Sequence, residues 1–264
     1  MLYRFNGQDW SSGIRSIHTN MEVNPHTFSS NKNSVSFSVF DSNQNEKEEF
    51  LIVIYRLSCG AIRFICESKT RHFNPSLEDS IISQEELYSI ELIKSVNTSK
   101  DQTLIEYEDN ISITLAYKPF QLTIFDRQSM IKLLTINSNS MLSISQNSFD
   151  ISFYTDNTNP VRLIGLPARD SPVFLKPTII SKPEGPNNDT KSEPYRIFNC
   201  DTGGFRPPKE YSVYGAINFL QSENSAVFYS NSSDTFVDLI HFPGEKDAVN
   251  CHFLSNSGPI DVFL

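Results

Sequence analysis

Cysteine is scarce in this chain of 264 residues: Cys59, Cys66, Cys200 and Cys251 are the four, and no CxxC pair occurs. That excludes a disulfide-rich scaffold, and no Cys/His spacing suits zinc. Cys59 and Cys66 could meet across a hairpin, but two buried free thiols fit their setting better. Positive charge is also short. The 22 Lys and Arg residues face 31 Asp and Glu, for a net charge of −9. Such a surface lacks the footprint of a nucleic-acid binder and suits an anionic membrane poorly. A neutral ligand is compatible with it, although the charge first of all keeps the protein dissolved. No apolar run reaches the roughly 18 residues of a membrane-spanning helix; the longest is Phe50–Tyr55. The N-terminal MLYRFNGQDW has no continuous apolar stretch of the signal-peptide kind.

Catalytic motifs are missing as well. There is no GxSxG elbow, no HExxH and no phosphate loop, so no cofactor or metal is expected. Glycoside cleavage needs two carboxylates held several Å apart. Glu48-Glu49 and Glu85-Glu86 instead sit in charged, turn-like stretches and read as solvated faces. His18, His26, His72, His241 and His252 are scattered and read as ordinary surface or core residues. No residue is therefore assigned a catalytic role.

What the chain does have is strand periodicity. Val35, Phe37 and Val39 alternate with serine, and Ile62, Phe64 and Cys66 alternate with Arg63, Ile65 and Glu67. The pattern recurs at Ile111–Tyr117, Phe120–Phe125 and Phe149–Phe153. Residues two apart share a face, so each run buries one side. Further runs at Phe50–Arg56, Ile90–Val96, Met130–Ile136, Met141–Ser145, Ser225–Ser230, Phe236–His241, Cys251–Leu254 and Ile260–Phe263 bring the expected total to about a dozen or more. Helix signals reduce to one capped turn at Ser83–Leu87. The expected fold is all-β, with antiparallel sheets packed as a sandwich over residues 34–264. Residues 1–33 are weakly patterned and read as an N-terminal arm packed on it. Nine of the 14 prolines lie between Pro160 and Pro208, and within that stretch about 179–195 reads as one long loop. Sequons stand at Asn97, Asn110, Asn188 and Asn231.

Several segments, taken in order, resemble one family. They are GAIRFICE at Gly60–Glu67, KPFQLTIFDRQSMIKLLTINSNSML at Lys118–Leu142, and the run Asp150–Thr178 with its LIGLPARDSPVFLKPT. EPYRIFNCD at Glu193–Asp201, Val213-Tyr214-Gly215, and SGPIDVFL at Ser257–Leu264 follow. The set, from about Phe50 to Leu264, resembles the N-terminal domain of glycoside hydrolase family 31 α-glucosidases, in particular glucosidase II alpha subunits. The resemblance implies an antiparallel β-supersandwich of the galactose-mutarotase type, packed in the full enzymes on a (β/α)₈ barrel that holds both catalytic carboxylates. That barrel is expected beyond Leu264, and this chain by itself is expected to be inactive. The family's N-terminal domain lends a loop to the active site. By its match to that loop's FNLD, Asp201 is the substrate-binding candidate, with Tyr195 or Phe198 as an apolar wall. A carboxylate there accepts strong charge-assisted hydrogen bonds from adjacent sugar hydroxyls; the competing reading, from Asp-Thr-Gly-Gly alone, is a turn residue. The resemblance further implies a carbohydrate substrate, a beta subunit as partner, and the endoplasmic reticulum or secretory pathway. The sequence departs from the family pattern at Ile164-Gly165, at Ala168-Arg169 and at Cys200. Two other readings remain: a stand-alone carbohydrate-binding or interaction protein, and a mutarotase-like enzyme, which needs a histidine and a glutamate converging on the concave face.

Overall fold

The computed structural model describes residues 4–5, 8–9, 17–66, 92–155, 160–166, 172–181, 190–192, 194–197, 215, 217–230, 235–242, 247–255 and 259–264. Among them there is no helix. Strands β1 (Arg4–Phe5) and β2 (Gln8–Asp9) pair with each other. The next group is β3 (Met21–Ser30), β4 (Ser34–Asp41), β5 (Phe50–Arg56), β6 (Ile62–Cys66), β7 (Ile93–Thr98), β8 (Gln102–Tyr107), β9 (Ile111–Tyr117), β10 (Phe120–Asp126), β11 (Ile131–Ile136) and β12 (Ser148–Tyr154). The remainder are β13 (Ile164–Gly165), β14 (Ile179–Ile180), β15 (Thr190–Lys191), β16 (Tyr195–Ile197), β17 (Phe219–Gln221), β18 (Ala226–Tyr229), β19 (Thr235–His241), β20 (Ala248–Ser255) and β21 (Ile260–Phe263).

Two large sheets result. The eight-stranded sheet runs β13-β17-β18-β21-β6-β5-β4-β3. The eleven-stranded sheet runs β15-β14-β19-β20-β12-β11-β10-β9-β8-β7, with β16 also on β19. All the pairings are antiparallel except β14 with β19. The core lies between the sheets and is built from the alternating residues the sequence displays. Val35, Phe37 and Val39 on β4, Ile52 and Ile54 on β5, and Phe64 and Cys66 on β6 face Phe149, Ile151 and Phe153 on β12 and Cys251 and Phe253 on β20. Contacts between the sheets are aromatic: Phe37 lies 5.9 Å from Phe120, and Tyr229 meets Phe149 edge-on at 5.0 Å.

Two local expectations change. Met21–Ser30, assigned by sequence to the arm, is a ten-residue edge strand paired with β4. Its register slips between Asn24 and Ser29, where Pro25 and His26 interrupt the alternation, and an edge is where a strand tolerates proline. Met141–Ser145 is not a strand; it makes a single bridge, Ser143 to Ser148. Its backbone amides are taken by side chains instead: Met141 N donates to Asp150 Oδ1 at 3.1 Å and Leu142 N to Asn137 Oδ1 at 2.9 Å. The capped turn expected at Ser83–Leu87 lies outside the described residues.

Cys59 is exposed in the β5–β6 turn, not buried, whereas Cys66 and Cys251 are buried thiols. Cys66 lies opposite Ile52 and Ile260, so the two thiols do not face each other. Burial, and then the nearby Asp150 charge, push the Cys251 thiol well above its usual range. With Cys200 replaced by serine, a thiol reagent is expected to label Cys59 in the folded protein. Cys66 and Cys251 react only after unfolding; fast labelling of all three in native buffer contradicts this packing.

Candidate functional site

Asp201 and Phe198 lie outside the described residues, as do Ala168, Arg169, Val213 and Tyr214. The structure does describe both roots of the Pro-rich segment, and it places them on one edge. β14 runs parallel to the C-terminal end of β19, with Ile179 opposite Ile240. β16 runs antiparallel to its N-terminal end, with Tyr195 opposite Val237. Thr178 fastens the first root: its Oγ1 donates to Asp238 Oδ1 at 2.6 Å and accepts from Leu239 N at 3.0 Å. Tyr195 fastens the second to the first, accepting from Lys176 N at 2.9 Å and donating to Lys176 O at 3.1 Å. Tyr195 is thus a buried core residue with its hydroxyl engaged. It does not serve as an apolar wall for a sugar, because its ring faces inward on β16.

Gly165, in the departure Ile164-Gly165, has a physical reason. Its φ is +116°, and a Cβ there would lie 2.1 Å from the Phe219 carbonyl oxygen. β13 can approach β17 only with no side chain at this point. Gly165→Ala is expected to lower stability by about 2–3 kcal/mol through strain and displacement of β17. Urea unfolding checks this, and a loss below about half a kcal/mol refutes the tight approach.

Beside this strand pair two hollows adjoin, of about 200 Å³ and about 290 Å³, sharing Pro160, Val161 and Arg162. The smaller includes Tyr154, Ser222 and Glu223; the larger is mostly apolar, with Leu163, Leu175 and Pro177. Arg162 lies 5.2 Å from the Phe174 ring at the same rim. Phe174 and its neighbour Val173 are 52% and 71% exposed, a high value for large apolar side chains.

The outer face of the eleven-stranded sheet holds a constellation that sequence reasoning missed. Asp150 on β12 and Asp238 on β19 lie directly opposite His252 on β20, one on each side. All three point away from the core, because their neighbours Phe149, Ile151, Val237, Leu239, Cys251 and Phe253 point into it. They are buried nonetheless, at 0%, 0% and 1% exposure. Asp150 accepts from Ser138 Oγ, Asn139 N, Met141 N and Asn250 Nδ2 at 2.9–3.1 Å. His252 Nε2 is 2.7 Å from Ser148 Oγ. With this burial, no substrate reaches the imidazole, so the group does not provide the accessible pair that a mutarotase-like reaction needs. The only trace in the sequence is polar residues at alternate positions of three strands. Among the described residues no set of three His, Cys, Asp or Glu side chains could hold a metal ion.

Sheets of eight and eleven strands, face to face around one apolar layer, make this a β-supersandwich. The family model for the glycosyl hydrolase 31 N-terminal galactose mutarotase-like domain matches residues 51–238, and the chain belongs to that family. It is similar to glucosidase 2 subunit alpha of Schizosaccharomyces pombe, at 34% identity over 108 residues. That alignment takes in 38% of this chain and 11% of the yeast protein. Glucosidase 2 subunit alpha of Saccharomyces cerevisiae is 26% identical over 64% of this chain and 20% of its own length. A probable glucan 1,3-alpha-glucosidase of Arabidopsis thaliana is 28% identical over 44% of this chain and 13% of its own. The matched part is therefore a small fraction of each relative. In fold, the chain is similar to the catalytic subunit in a crystal structure of the ER glucosidase II heterodimeric complex. The TM-score is 0.73 at 19% identity, covering 94% of this chain and 33% of that one.

Proposed function

We propose that this chain is the non-catalytic β-sandwich of an α-glucosidase of the glucosidase II type. It forms the substrate-side wall of an active site whose two catalytic carboxylates belong to a separate barrel domain. The observation that carries this reading is the family match over residues 51–238, a span that includes the Asp201 segment. Asp201 contacts substrate, accepting hydrogen bonds from two adjacent hydroxyls of the glucose being removed. The anchoring of β16 on β19 and of Tyr195 on Lys176 supports this role, because it fixes the chain a few residues before Asp201. The exposed Val173 and Phe174 beside the apolar hollow supply a surface of the kind that packs against another domain. A beta subunit and the endoplasmic reticulum belong to the same reading, since one structural relative is the catalytic subunit of ER glucosidase II in complex with part of its regulatory subunit. The substrate is an oligosaccharide with α-linked glucose.

Joining this chain to the barrel of the Schizosaccharomyces pombe subunit, in place of that protein's own N-terminal domain, tests the reading. The joined protein is expected to hydrolyse an aryl α-glucoside, and this chain alone is not. In the joined protein Asp201→Ala is expected to lower kcat/KM by about 2–3 kcal/mol, roughly 30- to 150-fold. Turnover by the repurified chain alone overturns the non-catalytic role. Unchanged kcat/KM in the Asp201 variant overturns the substrate contact and leaves the wall without its proposed ligand. A stand-alone carbohydrate-binding protein is the alternative, and it predicts sugar binding by this chain with no dependence on a barrel.

A further inference from the structure

The sequon at Asn97 has a setting in the fold that its local sequence does not reveal. Asn97 lies on β7, the strand at one end of the eleven-stranded sheet. Its neighbour Val96 stands opposite Ile105, which is in the core, so Asn97 projects from the outer face. There it lies opposite Leu104, and a long hydrogen bond of 3.4 Å runs from its Nδ2 to Ser95 Oγ. The third residue of the sequon, Ser99, opens the β7–β8 turn. Its N donates to Gln102 O at 2.8 Å and its Oγ donates to the same oxygen at 2.9 Å. Every residue from Asn97 to Gln102 is exposed.

The sequon at Asn110 makes the contrast. Asn110 sits in the β8–β9 turn with a φ of +66°, a conformation asparagine tolerates better than most residues. The turn accounts for that asparagine, and Ser112, the third residue of its sequon, is buried at 4% exposure. β7 makes no such demand. Asparagine is disfavoured in strands, yet Asn97 stands in regular pairing with β8 and outside the core. Asn188 and Asn231 lie outside the described residues. An exposed side-chain amide two residues before an exposed hydroxyl, with no evident conformational duty, is what an N-glycan acceptor presents.

We infer that Asn97 carries an N-linked oligosaccharide that covers the outer face of the sheet at its β7 end. The inference rests on the secretory-pathway reading proposed above. The donor class is an oligosaccharide carried on a polyprenyl diphosphate. Asn97 Nδ2 attacks the anomeric carbon, the new C–N bond forms and one Nδ2 hydrogen leaves as a proton. The bond from that carbon to the diphosphate oxygen breaks, and its electron pair departs with the polyprenyl diphosphate. The position suits the proposed substrate side. β16, which leads to Asp201, is anchored on β19, and β7 is the seventh strand along from β19. Measured along the sheet that is roughly 30 Å, so the glycan stands away from the β16 root. A bulky hydrophilic branch on a terminal strand also hinders pairing with a second chain.

Two preparations test this: the chain directed into the endoplasmic reticulum of a yeast cell by a cleavable leader, and the native protein isolated from its own cells. Each is digested with an N-glycan amidase in heavy-oxygen water, which turns a glycosylated asparagine into a labelled carboxyl. The peptide spanning Asn97 is then read by mass spectrometry. Label at Asn97 is expected in both preparations. In the directed chain Ser99→Ala, which keeps the asparagine, is expected to abolish it. Asn97→Gln is expected to leave the urea midpoint of the unglycosylated chain unchanged, so loss of the glycan does not report misfolding. Unlabelled Asn97 in the directed chain overturns the inference and leaves the secretory-pathway reading standing. Label in the directed chain with none at Asn97 in the native protein also overturns it. Where the native protein carries label at no sequon, the secretory-pathway reading falls as well.

Discussion

Asp261→Ala is expected to lower the stability of the folded chain by about 3–5 kcal/mol, because it removes the bidentate carboxylate partner of a buried guanidinium. Arg63 on β6 and Asp261 on β21 form a bidentate pair: Nε to Oδ1 at 2.9 Å and Nη2 to Oδ2 at 2.8 Å. The two side chains are 5% and 7% exposed. Arg63 also lies 5.3 Å from the Phe263 ring, so an apolar neighbour closes one side of the fork. Removing the carboxylate leaves the charge with too little solvent to replace it. Replacing both partners by apolar residues, as in Arg63→Met with Asp261→Leu, is expected to recover most of the loss. Urea unfolding of the two variants measures the difference. A loss under 1 kcal/mol for the single change means that water reaches the pair, which its burial contradicts.

Phe253→Ala is expected to cost a similar amount, about 3–5 kcal/mol, by a different mechanism. The Phe253 ring is stacked on Phe149 at 4.8 Å and meets Tyr229 edge-on at 5.9 Å. Phe149 and Phe253 come from neighbouring strands of one sheet and Tyr229 from the other, so the cluster pins the sheets together. Truncation leaves a cavity between two rigid sheets, and close-packed layers collapse poorly around such a gap. The matched control is Met130→Ala, whose side chain is 82% exposed and whose loss is expected to stay within about half a kcal/mol. Equal effects at the two positions refute the assignment of the core.

The strands with clean alternation were legible residue by residue. Val35, Phe37 and Val39, and Phe149, Ile151 and Phe153, each showed which face would be buried, and those faces are the core. Where side chains capture the backbone, alternation misleads. Met141–Ser145 has the composition of a strand, yet Asp150 and Asn137 take its amides. Tyr195 reads as an apolar wall beside Asp201 because the resemblance puts EPYRIFNCD at a substrate loop, but on β16, paired with β19, its ring joins the core. His252 read as one scattered histidine among five. Its two carboxylate neighbours come from strands about a hundred residues away and about fourteen residues away, and nothing local announces either.

The sequence by itself determined the all-β class, the inward faces of most strands and the family. Each is written in short stretches of residues, and period-2 burial and ordered motifs need no knowledge of distant pairing. Tertiary structure decided which strands lie side by side. It placed Asp261 against Arg63 across 198 positions and Ser148 against His252 across 104. Strand pairing follows from how two apolar faces can be buried together. The charges on the opposite faces are therefore brought into register as a consequence, and their partners emerge only when the sheets close.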